Sequence, residues 1–344
     1  MSKWMIRLGV PLLVGLLGAA WIAWRMYVKV FSPAVHVPTG QTWLYIPTGA
    51  GLTQVCDSLM YNGWLADTSQ FAWVARRMDY AGRVKPGRYQ ISDGMSLREL
   101  TGLLRSGAQD PVRLIVRPFR TMPELIAFLD QQLEPDANSL TQALRDPEVL
   151  KKAGLTEEQS LLLVIPNTYE VWWNTSASGF AERMVVEYER FWTEEKRLKA
   201  ADLGLTPMQV GILASIVQEE TNKRDEMSRI AGVYLNRLKI GMFLQADPTV
   251  KYALGNPAIR RILFKHLETD SPYNTYRYGG LPPGPIAMPE TFVLNAVLNA
   301  EDHNYLFFCA RADLSGYHAF SRTGAEHARY ARAYQQALNR QGIK

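Results

Sequence analysis

The stretch Leu8–Trp24 reads LGVPLLVGLLGAAWIAW and carries no charge over 17 residues. Extended through Met26, Tyr27 and Val28, it reaches the ~20 residues that cross a ~30 Å hydrocarbon layer as a helix. Few alternatives are open to such a run, because lipid leaves backbone polar groups nowhere to bond except within the segment. Trp4 at one edge and Trp21, Trp24 and Tyr27 at the other have the character of interfacial anchors. A cleavable signal sequence, cut near Gly18-Ala19-Ala20, is the competing reading. The apolar run continues through Trp24, which counts against it. Lys3 and Arg7 precede the run and Arg25 and Lys29 follow it, so flanking charge does not set the orientation. No comparable run recurs. The chain reads as one anchor, residues 1–30, and a body outside the bilayer.

That body is built to fold. A hydrophobic share of 47% against 21% charged residues excludes a disordered chain, and 344 residues suggest about two domains. The balance of 38 basic and 33 acidic residues gives only +5. No Lys/Arg block of the kind that tracks phosphates is present, so nucleic acid is not an expected partner. Two cysteines, Cys56 and Cys309, exclude a disulfide framework and a cysteine-rich zinc module. Both sit in apolar patterns and read as free buried thiols.

Residues 31–41, with Pro33, Pro38 and Gly40, read as a linker. Trp43–Ile46 reads as a strand, Leu52, Val55, Leu59 and Met60 fall at helical spacing, and Phe71, Val74 and Ala75 begin a second helix. Gly87–Ile91 alternates like a strand. Ser96 then caps a third helix with Glu99 as its capping-box partner. This strand–helix–helix–strand–helix unit is a small domain over residues 42–108. Val112–Val116 and a helix over Thr121–Leu133 follow, then polar, turn-rich chain from Glu134 to Glu158 with one short helical piece. From Phe180 the chain is dominantly helical, and past Met242 it becomes irregular. A helix near Thr291–Ala300, a strand at Tyr305–Ala310, a hairpin through Asp313–Gly316 and a last helix from Gly324 complete the pattern.

The segment Thr206–Thr221 concentrates the chemistry. Thr206 as N-cap and Pro207 at the first helical position start a helix cleanly. At about 100° per residue from Val210, Leu213 falls at about 300°, Ile216 at about 240° and Glu220 at about 280°. Glu220 therefore lies within the apolar stripe, while Glu219, at about 180°, lies on the polar edge beside Ser215. A carboxylate on an apolar face has its pKa pushed up, which suits a general acid near neutral pH. The alternative is that Glu220 pairs with a buried arginine such as Arg237. After this helix come loops rich in Tyr, Asn, Gln and Thr, side chains that stack on sugars and bond their hydroxyl and acetamido groups. Several such loops following one inward glutamate favour a cleft.

Ser215-Ile-Val-Gln-Glu-Glu220-Thr221, Leu244-Gln245-Ala-Asp247-Pro248-Thr249-Val250, Tyr273-Asn274-Thr275-Tyr276, Gly280-Leu-Pro-Pro-Gly284-Pro-Ile286 and Gly316-Tyr-His318-Ala-Phe320-Ser321 occur in that order. Together they resemble the endolytic murein transglycosylase family, also called YceG-like. The resemblance extends to the anchor and to residues 42–107, which look like that family's LysM-like subdomain. It implies an α+β fold: a transmembrane helix, a small LysM-like α/β subdomain, and a mainly helical catalytic domain with a short sheet over residues 109–344. It also implies that Glu220, directly before a threonine, is the catalytic residue. The implied substrate is the glycan strand of peptidoglycan, cut internally at the bond from N-acetylmuramic acid to N-acetylglucosamine to leave 1,6-anhydro ends. A single membrane pass with an extracytoplasmic body and cell-wall synthases as partners complete the implication. Asn236, Gln245, Asp247, Asn274 and Tyr276 are the candidates for positioning substrate. Where the family tends to carry an acid, this chain has Gln218 and Asn167, and where it tends to carry Glu-Gly it has Phe119-Arg120. None of these departures touches Glu220.

Rival chemistries find less support in the residues. The five histidines, His36, His266, His303, His318 and His327, make no close pair such as H-E-x-x-H, so no metal or other cofactor is expected. They read as core or surface side chains. Neither cysteine has a histidine nearby in sequence, and no G-x-S-x-G occurs. A non-catalytic glycan-binding protein and a hydrolase using water remain the alternatives.

Overall fold

A computed structural model describes residues 3–38, 40, 42–256, 259 and 262–341. The chain is a mixture of helices and short two-stranded ribbons, and it divides into two compact units. The first comprises residues 1–113, 132–134 and 170–175, and the second comprises the remainder.

In the first unit, α1 (Lys3–Phe31) is a single apolar helix, and Leu12–Phe31 is long and apolar enough to cross a membrane. Among the described residues it alone passes that test unbroken. Leu12, Leu16, Trp21 and Trp24 are all exposed, as lipid-facing side chains would be. The side chains of residues 3–11, Trp4 included, lie outside the described part. The linker expected at 31–41 is not observed over its described residues. Ser32 N–H closes on Val28 O at 2.9 Å, and the N–H groups of Ala34 and Val35 donate to Met95 O at 3.1 and 3.0 Å. Val35 and Val37 are buried. Their apolar side chains complete the small core, which proline and glycine signals alone did not reveal.

Strands β1 (Trp43–Ile46) and β2 (Gly87–Gln90) pair antiparallel, Trp43 opposite Gln90 and Ile46 opposite Gly87. Between them run α2 (Leu52–Tyr61) and α3 (Ser69–Arg77), and α4 (Leu97–Ser106) follows. Strand period two sends Leu44 and Ile46 into a core with Val55, Leu59, Phe71, Leu100 and Leu104, leaving Trp43 and Tyr45 on the other face. Ser96 and Glu99 form the expected capping box, and Gly107 ends α4 at φ 71°, where a Cβ would be strained.

β3 (Val112–Val116) pairs with β4 (Asn167–Val171), and each strand contributes residues to both units. Within the second unit come α5 (Met122–Asp130), α6 (Ala137–Leu144) and α7 (Pro147–Lys152), then α8 (Ala177–Phe191) and α9 (Glu194–Asp202). Two helices thus stand where one short piece was expected. Asp136 and Asp146, which read as turn residues, are their N-caps, accepting from Ser139 N and Glu148 N at 2.7 and 2.8 Å. Next are α10 (Pro207–Glu220), α11 (Met227–Lys239), α12 (Asp247–Ala253), α13 (Phe264–Leu267) and α14 (Thr291–Leu298). The antiparallel ribbon of β5 (Phe307–Ala310) and β6 (His318–Ser321) precedes the last helix, α15 (Gly324–Arg340).

Helix α10 is the centre of this unit. Val210–Val217 are buried on every side. The polar edge expected at Ser215 is therefore absent. Its hydroxyl donates to Ile212 O at 2.7 Å and accepts from Ile286 N at 3.0 Å, which fastens the Gly280–Ile286 loop to the helix. Gly284 is needed there, because a Cβ would stand 2.3 Å from Glu158 O.

Candidate active site

Thr206 and Gln209 cap the start of α10 reciprocally, and Thr221, in extended conformation, stops it directly after Glu220. This stop places Glu220 on the last turn, where the helix's outward carbonyls disfavour negative charge. Glu220 faces a cleft of about 420 Å³, while Glu219 turns outward to Arg120 at 3.5 Å. Tyr234, on α11 and 1% exposed, donates its phenol to Glu220 Oε1 at 2.5 Å. Arg237, one turn further along α11, does not close on Glu220. Its guanidinium is occupied by backbone carbonyls, Leu306 O and Leu244 O both at 2.6 Å and Phe243 O at 3.4 Å.

Electrostatics follow from this packing. Glu220 keeps part of its surface open to the cleft, yet its carboxyl is densely surrounded by protein. Burial raises its pKa to about 7, against the Tyr234 hydrogen bond, which lowers it. Asp247 raises it further, and the charges of Arg237 and Lys251 lower it. Burial and the neighbouring Glu220 hold the Tyr234 phenol well above its ordinary value, so it stays a donor.

The opposite wall is assembled by two loops. Gln245 N donates to Thr275 O at 3.0 Å, Ala246 N donates to Thr275 Oγ1 at 3.0 Å, and the hydroxyls of Thr249 and Thr275 meet at 2.8 Å. Gln245 holds a left-handed φ of 49°, an uncommon conformation for a residue with a Cβ. So fastened, Asp247 at the start of α12 accepts from the Tyr276 phenol at 2.6 Å. Phe308 of β5 packs edge-on to Tyr234, ring centres 5.8 Å apart, and completes the wall. One carboxyl primed to carry a proton at neutral pH, beside phenols and amides, can perform general acid–base chemistry on a polar ligand. Among the described residues, no group of three or more His, Cys, Asp or Glu side chains is arranged to hold a metal ion.

The YceG-like family matches residues 44–333, a span that contains every one of these groups. The chain belongs to the YceG-like family. An endolytic murein transglycosylase of Bacillus subtilis is 27% identical over 86% of this chain and 85% of its own length. One from Streptococcus pneumoniae is 25% identical over 77% of this chain, which spans 53% of that longer protein. The crystal structure of a YceG-like protein from Listeria monocytogenes covers 83% of this chain and 98% of its own, with 26% identity and a TM-score of 0.54.

Of the positions expected to form the site, Glu220, Gln245, Asp247 and Tyr276 line the cleft together. Asn236 and Asn274 do not. Asn236 Nδ2 donates to His303 O and Tyr305 O at 2.7 and 3.1 Å, tying α11 to the chain before β5. Asn274 is buried, and its amide holds Leu267 O and Thr269 O at 2.9 and 2.8 Å. Both shape the loops of the cleft rather than its surface. Gln218 bridges Met288 O and Glu290 N at 3.0 and 2.7 Å, a structural task that requires no charge. The cleft also holds Tyr234, Phe308, His318 and His327, which sequence reasoning did not assign. Their signal was weak, since Tyr234 lies on the next helix and the histidines lie about a hundred residues beyond Glu220.

Proposed function

We propose that this chain is an endolytic murein transglycosylase that uses Glu220 as a single acid–base group. The observation that carries this is Glu220 itself: a cleft-facing carboxyl with a pKa of about 7, held by a buried phenol. Because Tyr234 donates to Oε1, the proton of the neutral carboxyl sits on Oε2. That proton passes to the oxygen joining N-acetylmuramic acid C1 to N-acetylglucosamine, and the C1–O bond breaks. Positive charge develops at C1. The Glu220 carboxylate then takes the proton of the muramic acid 6-hydroxyl as O6 bonds to C1. A 1,6-anhydro end results, no water is consumed, and Glu220 is again protonated. Gln245, Asp247 and Tyr276 position the sugars. Asp247 is engaged by Tyr276, which suits it to orienting a ring rather than to acting as a nucleophile.

The same reading assigns the first unit as a LysM-like subdomain, supported by its strand–helix–helix–strand order and antiparallel β1–β2 pair. It places α1 in the cell membrane and the body on the outer side, near the synthases that build strands. A C-terminal reporter active only in the cytoplasm would contradict that placement. Digestion of purified murein, with mass detection of the products, tests the chemistry. Internal cuts ending in anhydro-muramic acid are expected from the parent, and loss of at least about 10²-fold activity from Glu220→Gln. Ordinary reducing ends would make the protein a hydrolase.

A further inference from the structure

The histidine of the Gly316–Ser321 stretch takes no part in the chemistry above, yet His318 lines the same cleft as Glu220. Its surroundings are unusually well defined. Glu226, 4% exposed, accepts from the His318 backbone N–H through Oε1 at 2.9 Å and from ring Nδ1 through Oε2 at 2.9 Å. A buried glutamate that holds both the backbone and the ring of one residue fixes that ring in place. A carboxylate only accepts, so Nδ1 carries the hydrogen and Nε2 of the neutral ring is left as an acceptor. Phe308 stands edge-on to the imidazole at 5.3 Å and limits its rotation. The side chain is only 14% exposed. Nε2 nevertheless meets no partner among the described residues, and because the ring lines the cleft and this nitrogen is not sealed from solvent, it opens on the cleft. His303 differs on each count: its Nε2 lies 2.9 Å from Arg229 O and its Nδ1 accepts from Tyr305 N at 3.1 Å.

We propose that His318 is a sugar-contacting residue whose Nε2 accepts a hydrogen bond from a hydroxyl or acetamido N–H of the bound glycan, with Glu226 as the positioning residue that fixes its tautomer. The proposal rests on the glycan reading of the cleft and adds a contact from β6, whose His318 ring packs on the same Phe308 as Tyr234. It requires a rigid acceptor here, which a lysine or arginine could not supply.

The test uses the full-length Glu220→Gln protein in detergent with ¹⁵N-labelled histidine, titrated with the murein tetrasaccharide of two disaccharide repeats. The free protein should show the Nδ1–H tautomer at His318, and its Nε2 resonance should shift on binding while both nitrogens of His303 stay in place. Adding His318→Ala should weaken tetrasaccharide binding at least about tenfold, the cost of leaving a glycan donor unpaired. Glu226→Gln can donate to Nδ1, which moves the ring hydrogen to Nε2. It should weaken binding similarly while the ring remains present, an effect that loss of packing alone would not give. An unmoved His318 Nε2 at saturating tetrasaccharide, or unchanged affinity in His318→Ala, overturns the proposal. If the parent meanwhile yields anhydro ends, only the His318 assignment falls. A parent that yields ordinary reducing ends removes the transglycosylase reading, while the His318 contact stands or falls on the binding and resonance shifts.

Discussion

Tyr234→Phe isolates the hydrogen bond that separates a buried carboxyl from a usable one. The phenol donates to Glu220 Oε1 at 2.5 Å, and its ring packs against Phe308, so removing one hydroxyl leaves the packing in place. A hydrogen bond to a charged acceptor contributes about 1.5–3 kcal/mol, and one to a neutral acceptor about 0.5–1.5. The ionised form of Glu220 thus loses roughly 1.4 kcal/mol more than the protonated form, which is about one pKa unit. The direction is upward, from about 7 in the parent to roughly 8 in the variant. In the proposed reaction Glu220 begins protonated, so the rate should fall as pH rises through that pKa. The alkaline limb of kcat/KM for anhydro-end release should therefore move up by about one unit. At pH 8.5 the protonated share rises from about 3% to about 24%, so the variant's deficit against the parent narrows there roughly eightfold. The plateau on the acid side of the limb should drop, because the carboxyl has lost the hydrogen bond that fixes its orientation. Release measured from pH 5 to 10 decides the matter. A limb that stays at the parent position, or moves down, would refute the claim that this phenol supports the working carboxyl.

Glu219→Gln removes only the outward Arg120 pair at 3.5 Å, worth about 0–1 kcal/mol, and should leave murein cleavage within a few-fold of the parent. Glu220 also predicts a pH-dependent stability. Its folded pKa lies above the unfolded value, so its stabilising contribution is full below about 4.5 and is lost as pH rises through about 7, by roughly 3 kcal/mol. Glu220→Gln should accordingly melt a few degrees higher than the parent at pH 8 and no higher at pH 4, with thermal denaturation as the check. Gly232→Ala would bring a Cβ within 2.6 Å of Glu301 O and 2.7 Å of His303 Nε2, so a loss of about 1–3 kcal/mol is expected in chemical denaturation.

Periodicity and capping made the helices and the small strand pair readable, because both signals are local. The capping box at Ser96 and the N-cap at Thr206 occur where the sequence places them. Two kinds of feature escaped it. The 32–37 segment carries linker residues, yet its two valines are buried by long-range contacts that no local pattern encodes. Asn236 and Asn274 carry side chains suited to binding sugars. Whether an amide faces a ligand or a backbone carbonyl depends on which loop returns beside it, and here carbonyls 5 to 69 residues away in sequence take both. The inward turn of Glu220 was visible because Leu213 and Ile216, which share its side of the same helix, are apolar and buried. Its partner Tyr234 was not, because only the tertiary crossing of α10 and α11 brings the two together.

The direct run from α1 into the first unit removes slack. A free tether of about ten residues would let a domain wander over about 5–6 Å × √10, close to 18 Å. Here helix and domain are spliced by Pro33 opposite Ser96 and by the Arg98 guanidinium over the Phe31 ring at 5.1 Å. With α1 in a bilayer, that unit has no leash, and its altitude is set by the helix alone. On the proposed placement of α1 in the cell membrane, the glycan this unit can meet is that lying close against the bilayer.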